Sequence, residues 1–358
     1  MLAGMVVGFY YSHCSHRPYL LSPKAKLHIM RNQNSQMQES IQMPMKIKLG
    51  ISSCLLGNSV RFDGGHAWDR YITDTLGQYV DYVPVCPEVE CGLSVPREAM
   101  RLVGDANNPR LITVHNKRDY TDKMLRWART RVAELEQENL CGFIFKSKSP
   151  SSGMERVKVY DENGVPAKKG VGMFARCFME HFPLLPVEEE GRLHDPVLRE
   201  NFIERIFAYQ RWREIMEQKK KIGAVVDFHT SHKLLILSHS TKHYQVMGKL
   251  VANAKNIPLA RLFAEYQSLL MESLAIKATA RKNCNVLQHM MGYFKEQLSA
   301  DEKQELLETI DHYRQEIIPL IVPITLINHY VRKYDQPYLK NQYYLHPHPS
   351  ELQLRNHV

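Results

Sequence analysis

Three cysteines stand beside glycine or proline in short polar loops, and their spacing sets the chemical question. Cys54 lies in Ser-Ser-Cys-Leu-Leu-Gly, while Cys86 and Cys91 lie in Val-Cys-Pro-Glu-Val-Glu-Cys-Gly, with four residues between them. That gap is too long for the redox Cys-x-x-Cys pair, and Glu88 sits between the thiols. Thiolates are soft ligands, so three of them converging from separate loops suit an iron–sulfur cluster that leaves one iron open. Zinc is the competing reading, although the chain has no paired Cys-x-x-Cys arrangement to complete a tetrahedral site. An open metal position can bind and polarise a substrate. If Cys86 binds a metal, Glu88 must lie near it and is the candidate acid/base. Cys177 and Cys284 stand alone and read as small buried hydrophobes.

Such loops need strands to hold them. Residues 46–190 alternate strand and helix patterns: Lys-Ile-Lys-Leu-Gly-Ile-Ser-Ser ends in the Cys54 loop, and Asp-Tyr-Val-Pro-Val runs into Cys86. A third apolar run, Phe143-Ile144-Phe145, enters the Ser-rich turn 147–153. Between the strands, residues 70–80 read as a short helix. Residues 119–138 read as a longer one, with Leu125, Ala128, Val132 and Leu135 on one face. This order predicts an α/β domain with a mainly parallel sheet, whose ligands collect outside the carboxyl ends of the strands. After about residue 190 the pattern becomes helical: Asp195-Pro196 is an N-cap with proline at the first helical position, and Ser299-x-x-Glu302 is a capping box. Residues 191–358 therefore form an all-α helical domain. Its aromatic, His-rich tail is expected to dock back onto the bundle. Residues 1–45 are expected to be a flexible leader or a start-site artefact.

Composition bounds the function. The chain has 358 residues, 44% apolar and 24% charged, and reads as globular. No run of apolar residues is long enough to span a membrane. Seven cysteines without a secretory signal argue for a reducing, cytoplasmic setting. The net charge of +9 suits a polyanionic partner. Charge concentrates in residues 219–282, with 11 Lys plus Arg against 3 Asp plus Glu. There Lys219, Lys220, Lys221, Lys233, Lys242, Lys249, Arg281 and Lys282 are the candidate RNA contacts, with the neighbouring histidines also able to meet phosphates.

The segments ISSCLLG, VPVCPEVECGLSVPRE and FIFKSKSPSSG resemble, in order and context, the three signature loops of the thiouracil desulfidase family. The helical part beginning HDPVLRENFIERIF resembles the domain fused to it in a subset of members, the tRNA 4-thiouridine desulfidases. The resemblance runs from about residue 46 to the C-terminus. It implies a 4Fe-4S cluster held by three cysteines, with the fourth iron free to take a thiocarbonyl sulfur. Two family ligands fall on Cys54 and Cys86. The third usually lies in a Ser-Pro-Ser-Cys-Gly turn, which here reads Ser149-Pro150-Ser151-Ser152-Gly153. Cys91 is therefore the expected third ligand, with Cys141 as runner-up. Glu88 is the expected acid/base, and Ser149 and Ser147 would hold the base or position water. Asp63, His66, Arg97 and Arg101 are further pocket candidates. The expected reaction is non-redox desulfuration of 4-thiouridine in tRNA to uridine. A desulfidase of free thiouracil or another thiolated base is the alternative within the same chemistry. A redox-sensing iron–sulfur protein that binds nucleic acid is the alternative from another class.

Overall fold

Strand β1 (Ile47–Ser52) is buried at every position except Lys48, as befits an inner strand of a parallel sheet covered on both faces. In the computed structural model, which describes residues 47–357, β1 pairs in parallel with β2 (Val80–Val85) and with β5 (Gly142–Phe145). Strand β8 (Val187–Glu189) continues the sheet beyond β5, so the order is β2-β1-β5-β8 and every pairing is parallel. The mainly parallel sheet expected from the sequence is present. The expected leader, residues 1–45, lies outside the described residues.

Two features depart from the sequence reading. Residues 71–78 form a single π-turn and a 3-10 turn instead of a regular helix. Ile72, Thr73 and Thr75 are β-branched and Gly77 follows, a run with low helical preference. The chain also builds a second sheet from β3 (Met100–Val103), β4 (Arg110–Thr113), β6 (Val157–Tyr160) and β7 (Pro166–Gly170), in the order β4-β3-β6-β7. Its inward residues Leu102, Leu111, Val157 and Val159 pack against Met124 of α2 (Thr121–Leu135). The short turn of helix after β2 is α1 (Pro87–Glu90). Helix α2 follows its expected stripe closely: Ala128, Val132 and Leu135 are buried, with Met124 completing the face and Leu125 half-buried. Helix α3 (Met173–His181) packs beside α2, with Phe174 and Phe178 against Phe143 and Phe145 of β5.

Helix α4 (Pro196–Glu217) opens as the sequence predicts, Asp195 accepting from the N–H groups of Val197 and Leu198. Its first half lays Phe202, Ile203 and Ile206 on Leu49, Ile51 and Ile144 of the parallel sheet. Its second half sends Ala208 and Trp212 into the core of the helical part. One helix thus belongs to two cores. The run of helices continues with α5 (Ile222–His239), α6 (Thr241–Ala252), α7 (Leu259–Ala275) and α8 (Ala280–Met291). It ends with α9 (Ala300–Arg314), α10 (Ile321–Lys333) and the short α11 (Pro337–Lys340). The capping box at the start of α9 forms in full between Ser299 and Glu302. The tail docks as expected: Tyr344 and Leu345 enter the helical core, while Leu352 and Leu354 reach the cluster over β1. No helix among the described residues is long and apolar enough to cross a membrane.

Candidate functional site

The carboxyl ends of three adjacent parallel strands place the candidate chemistry. Strand β1 ends at Ser52, and a 3-10 turn over Ser53–Leu56 carries Cys54. Gly57 closes that turn with φ +89° and donates its N–H to the Cys54 carbonyl, a conformation that favours glycine. Strand β2 ends at Val85, and Cys86 caps α1 in extended conformation with Pro87 at the first helical position. The Cys86 N–H donates to Glu90 Oε1 at 2.7 Å, fixing the start of the turn. Strand β5 ends at Phe145, and the next residue, Lys146, donates its N–H to Ser52 Oγ at 2.9 Å. The three loops enclose a cavity of about 340 Å³.

Cys54 and Cys86 both line this cavity, with Glu88, Ser147 and Ser149. Burial pushes the Cys54 thiol up to about 11, partly opposed by the Lys146 charge. Burial also raises Cys86. Both thiols are soft donors on one cavity wall, a set whose chemistry suits a metal centre. Glu88 is held from two sides. Its Oε2 pairs with Arg97, and its Oε1 accepts from the Ser151 hydroxyl at 2.8 Å. Arg97 also donates to the Val60 carbonyl at 2.9 Å, tying the Cys54 loop to the Cys86 loop. The Ser149 hydroxyl accepts from the N–H of Ser152 at 3.1 Å and of Ser151 at 3.3 Å, so it builds the turn that it sits in. Ser147 binds Glu190 through both its N–H and its hydroxyl, each at 2.7 Å.

Several cavity residues are not among the site candidates that the sequence names. Lys146 lines the cavity and pairs with Glu190. Ser151 and Ser152 are both buried and line it as well. A charged residue directly after the apolar Phe143-Ile144-Phe145 run marks a strand's carboxyl end, and that is the signal by which Lys146 could have been found.

Other candidates lie elsewhere. Cys91, the expected third ligand, does not line the cavity. It follows α1, its thiol donates to the Glu88 carbonyl at 3.3 Å, and it is buried with Leu102, Leu111 and Met124 behind the second sheet. Cys141 precedes β5, at the opposite end of that strand from the cavity, and bonds Gln210 Oε1 at 2.8 Å. Asp63 and His66 are exposed and outside the cavity wall, and Asp63 pairs with Arg61. Arg101 lies on the second sheet, in a neighbouring cleft.

The eight basic candidates of the helical part are not gathered in one place. Lys219, Lys220 and Lys221 are exposed ahead of α5, whereas Lys242 follows its C-terminal end. The 18 residues of α5 separate these groups by about 27 Å. Lys282 is turned inward, donating to the carbonyls of His239 and Lys277. Lys233 covers the Tyr338 ring. Lys249 and Arg281 are exposed on α6 and α8. The histidines expected to meet phosphate, His229, His232 and His239, are buried core residues, because α5 is enclosed by its neighbours over most of its length.

Residues 49–190 match the family model described as 2-thiouracil desulfurase, and residues 233–349 match one described as a protein of unknown function (DUF1722). The uncharacterized protein YbgA of Escherichia coli strain K12 is 33% identical over 153 residues, covering 42% of this chain and 90% of the relative. The uncharacterized protein YbbK of Bacillus subtilis strain 168 is 31% identical over 108 residues, covering 29% of this chain and 71% of the relative. A solved structure described as the 4Fe-4S-dependent thiouracil desulfidase TudS is 27% identical, over 42% of this chain and 95% of that one, with a TM-score of 0.35. Residues 49–190, with their two thiols and a carboxylate on one cavity, form a domain of the 2-thiouracil desulfurase family.

Proposed function

We propose that the protein removes sulfur from a thiolated uracil carried in tRNA, replacing C=S by C=O with a 4Fe-4S cluster as cofactor. The observation that carries this reading is the convergence of Cys54, Cys86 and Glu88 on one cavity at the carboxyl ends of β1, β2 and β5. Soft, buried thiols fit such a cluster, and Cys54 and Cys86 are the ligands we assign to it. Ser152 lines the same cavity, at the turn position where the family's third cysteine is expected. When bound, the cluster would supply a soft Lewis-acid position for the thiocarbonyl sulfur.

The chain's own residues supply the rest. Glu88, fixed by Arg97 and Ser151 at the cavity wall, takes a proton from the water that adds to the thiocarbonyl carbon. The C–S bond breaks as the new C=O forms. One water oxygen goes to the base, two protons accompany the departing sulfide, and no electron is gained or lost overall. Lys146, locked to Glu190, keeps a positive charge beside Cys54. The net charge of +9 supports a nucleic-acid carrier.

The test is anaerobic reconstitution followed by incubation with tRNA containing 4-thiouridine and, separately, with free thiouracil. Loss of the 4-thiouridine absorbance is expected from the tRNA. Turnover of the free base alone would move the substrate assignment, and a loaded protein inert on both would overturn the reading. Glu88→Gln is expected to keep the cluster's absorbance and to lower turnover at least about 100-fold.

A further inference from the structure

The second sheet turns one face toward the core and leaves the other bare. Leu102, Val157 and Val159 point inward, so their neighbours Arg101, Lys158 and Tyr160 point the opposite way. That outer face forms the wall of a cleft of about 650 Å³, to which Lys148, Arg156 and Lys168 also contribute. Ser147, Lys148 and Pro150 line both this cleft and the thiol cavity, so the two adjoin.

Three lysines of this cleft are not neutralised from within. Lys158 of β6 stands directly opposite Lys168 of β7 in the antiparallel register. Like charges facing each other across a strand pair destabilise it. Lys148, Lys158 and Lys168 have no carboxylate partner among the described residues. The guanidinium of Arg101 lies 4.8 Å from the Tyr160 ring centre, and its buried Nε has no hydrogen-bond partner. The cleft's two acids do not offset this. Glu155 is paired with Arg156 and Arg192, and Glu189 is buried, accepting from the Met154 N–H at 2.8 Å. A cationic sheet face with an Arg-stacked tyrosine, adjoining a base-sized cavity, has the chemistry of a single-stranded nucleic-acid track: cations for phosphates and a ring for a base.

We propose that this outer sheet face binds the RNA backbone flanking the thiolated base, and so contributes to choosing a polynucleotide over a free base. The proposal rests on the desulfidase reading for the identity of the base, not for the existence of the surface. The substrate strand would run from the sheet face into the thiol cavity past Lys148.

The test uses the full chain and a fluorescein-labelled, unmodified tRNA transcript, read by anisotropy over a salt series. K158E/K168E is expected to weaken binding about tenfold or more and to reduce the salt slope by about 2, one for each phosphate that is no longer neutralised. The single variant K168E is expected to bind RNA less well while its melting temperature stays level or rises, since it replaces a repelling cross-strand pair by an attracting one. Turnover of free thiouracil, if the protein has it, is expected to be unchanged. Unaltered RNA affinity and salt slope in K158E/K168E would overturn the proposal, as would absence of RNA binding by the native chain. If no thiolated substrate loses sulfur but the RNA contrast stands, the surface assignment survives and the desulfidase reading fails.

Discussion

At the scale of residues, the sequence names Cys91 as third ligand of the proposed cluster, and the Cys91 thiol does not line the thiol cavity. Cys91 is close in sequence to Cys86, but α1 lies between them and turns the Cys91 thiol into an apolar cluster. Ser152 is on the cavity wall, buried, with its N–H held by Ser149. A serine oxygen is a harder and weaker partner for iron than a thiolate. On the proposed assignment, a cluster held by Cys54 and Cys86 alone should load incompletely, and Ser152→Cys is expected to raise iron and acid-labile sulfide per chain after reconstitution. Cys91→Ser is expected to leave that content unchanged, whereas Cys54→Ser or Cys86→Ser should abolish it. Iron and sulfide analysis on the four variants reads this directly. Loss of iron in Cys91→Ser would mean that α1 unwinds around the cluster.

At the scale of elements, the cavity depends on how tightly the serine turn is seated. Gly172, just before α3, contributes because it has no side chain: a Cβ there would lie 2.6 Å from the Ser151 carbonyl carbon and oxygen. Backbone atoms cannot yield as a flexible side chain would. Gly172→Ala is expected to displace the 149–153 turn, break the Ser151–Glu88 hydrogen bond and lower both stability and turnover. Stability loss on the order of 1–3 kcal/mol is the range for overpacking, measurable by urea unfolding, and an unchanged midpoint would argue against this seating. Such contacts explain why the elements were legible in sequence and their joints were not. Strands β1, β2 and β5 announce themselves by apolar runs ending in polar loops, and α2, α4 and the α9 capping box by periodicity and caps. Strands β3, β4, β6 and β7 are short, and three of them carry a charged residue within the run, Arg101, Arg110 and Lys158. Their inward face is only one or two residues wide, so no apolar run marks them in the sequence. The buried histidines of α5 were misread for the opposite reason. Polarity suggested exposure, but Glu204 and Ile276 O satisfy His239, and the Phe228 carbonyl and Arg211 satisfy His232, inside the core.

At the scale of the whole molecule, the α/β part and the helical part share one structural support. Phe202, Ile203 and Ile206 of α4, with Leu352 and Leu354 of the tail, cover the parallel sheet that holds the cavity loops. The tail is held in turn by Arg355, which is buried and donates to Glu204 at 2.8 Å, Glu200 at 3.1 Å and the Tyr344 carbonyl at 2.6 Å. Burial alone would raise the Glu204 carboxyl, but the His239 hydrogen bond and the Arg355 charge outweigh it and hold it below its ordinary value. An acid lowered in the folded state stabilises the fold above its unfolded pKa of about 4.3, and that contribution is lost as pH falls from there. Arg355→Met should therefore cost most near pH 7, where it strips the buried Glu204 and half-buried Glu200 carboxylates of their guanidinium, a loss of about 3 kcal/mol. The loss should shrink toward pH 3, as those carboxylates are protonated in both proteins. Because the tail and α4 cover the sheet, the variant should still melt in one transition, with near-ultraviolet circular dichroism and the cavity thiols' reactivity changing together. A loss independent of pH would show that Arg355 acts by packing alone. Thiol exposure at Cys54 and Cys86 well separated from tail release would show that the two parts do not share that support.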